Sequence, residues 1–230
     1  DTSITFNILF EDGSKNDRTP DSAYLEYGTS SGDYTTFNPS EKISKDLPWE
    51  FVLDGLQADT QYFYRLVSTL DGKTTNSEEH DFHTQRAEGS SFTFTVVADS
   101  HLGTDNHCNE ERYTIAMQNV DADNPDFHLD LGDTFRVTKL GDDPATASYK
   151  DIQTLAINQR PFMGIVTNSA PLFFVAGNHE LEDLHWYTGA ADCTPIYATN
   201  IRKLYYPTPV PDDFYTGNDI PFDFIDDDGL

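Results

Sequence analysis

Positive charge is scarce in this sequence: 14 Lys and Arg stand against 40 Asp and Glu, a formal net charge of -26. Such a field repels polyanions, so nucleic acid is not expected as a ligand of the bare surface. Cysteine is scarcer still. Cys108 and Cys193 are the whole supply, too few for a disulfide-built scaffold and wrongly spaced for a zinc finger, and they can pair or stay free. No apolar run approaches the ~20 residues that cross a bilayer, and no signal peptide is visible. Histidine stops at His185. The first residue is Asp rather than Met, which suggests a segment removed or never recorded upstream.

What is present suffices for packed cores, with 37% hydrophobic residues and 16 Phe and 12 Tyr in 230 positions. Ile4, Phe6, Ile8 and Phe10 alternate with polar residues, the period of a half-buried strand. Similar signals recur near 23 to 28, 34 to 37, 49 to 54, 61 to 69 and 79 to 84, separated by turn clusters such as Asp54-Gly55 and Asp71-Gly72. Six short strands predict a β-sandwich over residues 1–86. In Tyr62-Phe63-Tyr64 the alternation sends tyrosines into the core rather than forming a ligand platform.

The pattern breaks near Gln85 to Ser90, and a second domain is expected over 91–230. Residues 92 to 99 read as a strand. A helix follows from about Asn109 to Val120, capped by Asn109, with Tyr113, Met117 and Val120 on its buried face. A second strand, 126 to 133, leads to a helix announced by Asp143 and Pro144, with Tyr149, Ile152, Leu155 and Ala156 facing inward. Arg160-Pro161 should end or kink it before a third strand at 171 to 176. This order implies a mostly parallel sheet covered by helices on both faces.

All three strands finish in polar clusters: Asp99-Ser100-His101, Gly132-Asp133-Thr134 and Gly177-Asn178-His179-Glu180. In open α/β sheets ligands bind beyond the carboxyl ends of strands, so the clusters should converge. Carboxylate, imidazole and amide oxygen together suit a zinc or transition-metal site. His128 and Asp130 precede the second strand's end and read as internal packing or hydrogen-bonded residues.

The ordered set D-x-H, G-D and G-N-H-D/E resembles the calcineurin-like metallophosphoesterases over residues 91 to about 180. The resemblance implies that Asp99 and His101 hold one metal, Asp133 bridges two, Asn178 holds the second and His179 meets the phosphate. Two iron, manganese or zinc ions would then hydrolyse a small phosphoester, with Glu180 in support. Leu56 to Tyr62 resembles the tyrosine corner of fibronectin type III domains, with Ala58 where those often have Pro. A sandwich before such a domain resembles purple acid phosphatases, which implies an extracellular or periplasmic setting. Those enzymes carry a metal-binding Tyr where Arg136 stands and usually lack a histidine at the place of His101, so a colourless site is expected.

The family completes its site with a further His and a G-H-x-H element, neither found here. The α/β domain is therefore expected to be incomplete, the sandwich to lack its first strand, and the chain as it stands to be a weak enzyme. A binding or adhesion module with a vestigial metal site is the alternative.

Overall fold

A computed structural model of the chain describes residues 2–10, 19–36, 42–102, 108–134, 147–180, 187–190 and 192–207. It is mostly β-sheet with a few helices, and its backbone divides into two compact units. The first comprises Asp1–Thr95, Met117–His128 and Met163–Leu172; the second comprises Val96–Ala116, Leu129–Phe162 and Phe173–Leu230. The helix start at Asp143-Pro144, Arg136, His107, His185 and everything after residue 207 lie outside the described residues.

In the first unit β1 (Ile4–Ile8) pairs antiparallel with β4 (Trp49–Leu53). A second antiparallel sheet runs in the order β3 (Asp33–Thr36), β2 (Ser22–Ser30), β5 (Gln61–Leu70) and β6 (Lys73–Asn76), with β7 (His80–His83) also pairing with β5. Inward residues of both sheets, Phe6, Leu25, Leu53, Tyr62, Tyr64 and Phe82, pack into one core cluster, and Ala23, Ile43 and Trp49 form a second. Phe6 meets Tyr64 edge-on at 5.1 Å, a favoured aromatic geometry. β6 escaped the count of six strand signals because its four residues are all exposed, leaving no apolar alternation to detect. The hairpin is written instead in Asp71 and Gly72, whose φ of 51° and 74° meet the demand of a two-residue turn.

The Tyr62 hydroxyl accepts a 2.9 Å hydrogen bond from the Gln57 N–H, anchoring the turn five residues upstream. Tyr62→Phe removes that acceptor and leaves the ring in place. The expected loss is about 1 kcal/mol, read as a fall of roughly 2–4 °C in the unfolding midpoint. An unchanged midpoint would show that the bond contributes nothing.

A three-stranded sheet has the order β10 (Leu172–Phe174), β9 (Phe127–Asp130), β8 (Phe94–Val97). Its bonds advance in the same direction along neighbouring strands, from Asp126 N–H to Thr93 and Leu131 N–H to Val97, and from His128 N–H to Pro171 and Val175 N–H to Asp130. That is a parallel ladder. Helix α1 (Glu110–Ala122) starts as expected, the Asn109 side chain accepting the Arg112 N–H at 2.9 Å. Tyr113 and Met117 are buried.

Three expectations for this region are corrected. Helix α2 (Tyr149–Thr167) does not end at Pro161 but continues past it. The residues before the proline are held by tertiary contacts: Gln159 Nε2 donates to the Thr134 carbonyl at 3.2 Å and Arg160 to the Tyr205 carbonyl. These offset the helix bond that Pro161 cannot make. On the same helix Ile152, Leu155 and Ala156 are buried, but Tyr149 is 39% exposed and sits edge-on to Tyr197. Finally, helices do not cover both sheet faces among the described residues, since Val96, Leu131, Phe173 and Val175 remain exposed. Strands added in sequence order by right-handed crossovers place successive helices on the same side.

Helix α3 (Thr194–Tyr205) was not anticipated, although Pro195 in its first turn and Arg202 and Lys203 in its last are ordinary signals.

Candidate metal centre

Beyond each strand of the parallel sheet the backbone turns sharply, and the turns carry the polar clusters. Asp99, His101 and Asp133 have φ of 57°, 45° and 53°, the left-handed region that costs a non-glycine residue about 1 kcal/mol or more. Such strain persists only where the surroundings over-determine it. Here Asp99 N–H donates to Gly132 O at 3.0 Å, His101 N–H to Asp133 O at 3.0 Å, and Leu102 N–H to Thr134 O at 2.6 Å. The turn after β8 is thus zipped to the turn after β9.

The two motif glycines are required by close backbone approach. A Cβ on Gly132, which has φ +89°, would lie 2.2 Å from Gly177 N and 2.5 Å from Val175 O. A Cβ on Gly177 would lie 2.2 Å from Asp133 Oδ1.

Glu180 closes the arrangement. It is fully buried, and one carboxylate oxygen accepts from Asp133 N–H and Gly177 N–H, both at 2.7 Å. The other accepts from Thr134 N–H at 2.6 Å and Thr134 Oγ1 at 2.9 Å. His179 N–H donates to Asp133 Oδ1 at 2.9 Å. One buried carboxylate and one strained Asp therefore join turns some 45 residues apart in sequence, and charge-assisted bonds of this kind are among the stronger ones. Gln159, which braces the same turn through the Thr134 carbonyl, carried no signal in the sequence.

The result brings His101, Asp133 and His179 together, with one ligand atom from each lying within 4.8 Å of the others and all three half-buried. The two imidazole rings are 5.2 Å apart and steeply inclined. Asp99 lies beside this group rather than within it, Oδ1 3.7 Å from His101 Nε2 with its side chain 71% exposed. Asn178 is exposed at the neighbouring turn. His179 Nδ1 is buried with no hydrogen-bond partner among the described residues. Two imidazoles and a carboxylate on a close-packed turn, with a buried nitrogen left over, fit a borderline divalent cation such as zinc, manganese or iron.

Behind the turns, burial pushes the Asp130 carboxyl up to about 7, with the Glu180 and Asp99 charges adding to it and the Gly132 bond opposing. Burial likewise raises the Tyr113 and Tyr206 phenols. The cysteines are both free. Burial, then the Glu110 charge, push the Cys108 thiol up, which disfavours the thiolate. No helix among the described residues is long and apolar enough to cross a membrane.

No protein-family model matches the chain, and no curated protein matches it. Among solved structures it is similar to a purple acid phosphatase isolated from yellow lupin (Lupinus luteus) seeds, with a TM-score of 0.61 and 15% sequence identity. The alignment covers 92% of this chain and 39% of the lupin chain, so the chain spans about two fifths of that protein's length. At that identity the likeness is one of fold.

Proposed function

We propose that this chain carries the first part of a two-metal phosphoesterase centre and that the protein containing it hydrolyses a small phosphomonoester or phosphodiester. The observation that carries the reading is the close grouping of His101, Asp133 and His179 at parallel strand ends. In this reading Asp99 and His101 would hold one iron, manganese or zinc ion, Asn178 would hold a second, and Asp133 would be a ligand to both. When bound, such ions supply Lewis acidity and an activated water.

The chain's own residues do the rest. Asp133 is oriented by the His179 N–H and by Glu180, so its carboxylate is pre-set rather than recruited. His179, beside that carboxylate, hydrogen-bonds the substrate's phosphoryl oxygen or protonates the leaving oxygen. The formal net charge of -26 opposes the approach of an anionic ester, and bound cations at this place would offset it. On the same reading the first unit is a fibronectin type III-like sandwich, supported by the Tyr62–Gln57 bond, and the protein works outside the cytoplasm without binding nucleic acid.

The test is hydrolysis of an aryl phosphate by the protein with added manganese, zinc or iron, alongside metal content after dialysis. His179→Ala is expected to lower turnover about 100-fold or more while leaving metal content intact. Parallel loss of metal would move His179 from substrate to ion, and absence of both metal binding and hydrolysis in the wild type would remove the reading.

A further inference from the structure

Asp130 is an unexpected occupant of its position. It ends β9 on the inward side of the strand, at 0% exposure. A packed strand offers such a slot to an apolar side chain, because burying a carboxyl costs free energy unless its oxygens are satisfied. Only half of that condition is met. Oδ2 is buried with no partner among the described residues, while Oδ1 accepts the Gly132 N–H at 2.9 Å.

That one bond sits at a decisive place. Gly132 has φ 89° and Asp133 φ 53°, and their carbonyls receive the N–H groups of Asp99 and His101, both at 3.0 Å. An Asp bonding the backbone two residues on is a local turn-former.

We propose that Asp130 is a positioning residue of the metal centre, holding the Gly132–Asp133 turn in its ligating conformation through the Oδ1 bond to the Gly132 N–H. The proposal rests on the metallophosphoesterase reading only in taking Asp133 as a ligand. Glu180 secures the turn from the outside by way of Asp133 N–H and Thr134 N–H, whereas Asp130 secures it from within the strand. An asparagine keeps an oxygen at the place of Oδ1 able to accept the Gly132 N–H.

Three proteins test this: the wild-type chain, Asp130→Asn and Asp130→Leu, each titrated calorimetrically with Mn²⁺ and Zn²⁺ and followed by amide hydrogen exchange at Gly132 and by thermal unfolding. Asn keeps an acceptor for Gly132, so its metal affinity should stay within about threefold of wild type. Leu fills the slot without the acceptor, and affinity should fall about 10- to 100-fold, with Gly132 exchange at least tenfold faster and no lower unfolding midpoint. A merely structural role would instead move affinity and unfolding midpoint down together. Wild-type affinity and slow Gly132 exchange in the Leu protein would overturn the proposal. Should the Leu protein fail to fold, Asp130→Ala is read by the same two criteria. A wild type that binds neither ion would count against the phosphoesterase reading, and Gly132 exchange alone would then decide the role of Asp130.

Discussion

Asp133→Asn is expected to reduce metal affinity at least 100-fold and to abolish phosphoester hydrolysis by the protein, while leaving its secondary structure and unfolding midpoint nearly unchanged. The substitution is isosteric and retains an oxygen able to accept the His179 N–H, now at 2.9 Å from Oδ1. What it removes is charge. In the group formed with His101 and His179, Asp133 supplies the only carboxylate. Residues that merely brace a ligand cost 10- to 100-fold in affinity or activity when lost, so a ligand proposed to serve two ions should cost more. Metal content by elemental analysis after dialysis, with circular dichroism as the control, makes the measurement. Full retention of metal and turnover in this variant would refute the assignment of the centre.

The second large effect is expected at Gly132. Adding a methyl group there meets Gly177 N at 2.2 Å, Val175 O at 2.5 Å and Gly177 Cα at 2.8 Å, with φ at +89°. All three neighbours are backbone, so relief requires moving β10's extension away from the Asp133 turn. Strain and overpacking together should cost about 3 kcal/mol or more, a drop of roughly 6–12 °C in the unfolding midpoint, accompanied by loss of metal binding. Gly55→Ala is the control. Gly55 also has positive φ, +70°, but nothing lies within 4 Å of its would-be Cβ, so only the backbone strain of about 1 kcal/mol applies. Equal destabilisation of the two variants would mean that the close approach at Gly132 has no energetic consequence.

Much of this architecture was legible in the chain because it is encoded over short distances. Alternating residues at 4 to 8 and 61 to 69, the capping Asn109 and the periodic Tyr113 and Met117 act through neighbours a few positions away. Misreadings arose where local signals were silent or outvoted. β6 carries no buried side chain, and Pro161 is overruled by the anchoring of Gln159 and Arg160. Tyr149 lies one turn too early in α2 to be covered. Asp130 reads as an internal or hydrogen-bonded residue and is both, but nothing in its neighbours announces that its partner is the Gly132 N–H.

By itself, the sequence determined the strands and helix of local period, the order of the three polar strand ends and the donor types they carry. These depend on backbone preferences and alternation, which a side chain exerts on its immediate surroundings. Only the tertiary structure decided which donors meet. Asp99, two residues before His101, stays largely exposed with Oδ1 3.7 Å from His101 Nε2, while His101 is half-buried. His179, far along the chain, joins His101 and Asp133. The reason is physical: the meeting depends on backbones approaching closely enough to exclude any Cβ at Gly132 and Gly177, and on one buried carboxylate, Glu180, satisfying N–H groups from two separate turns. Contacts of that kind exist only once the strands have paired.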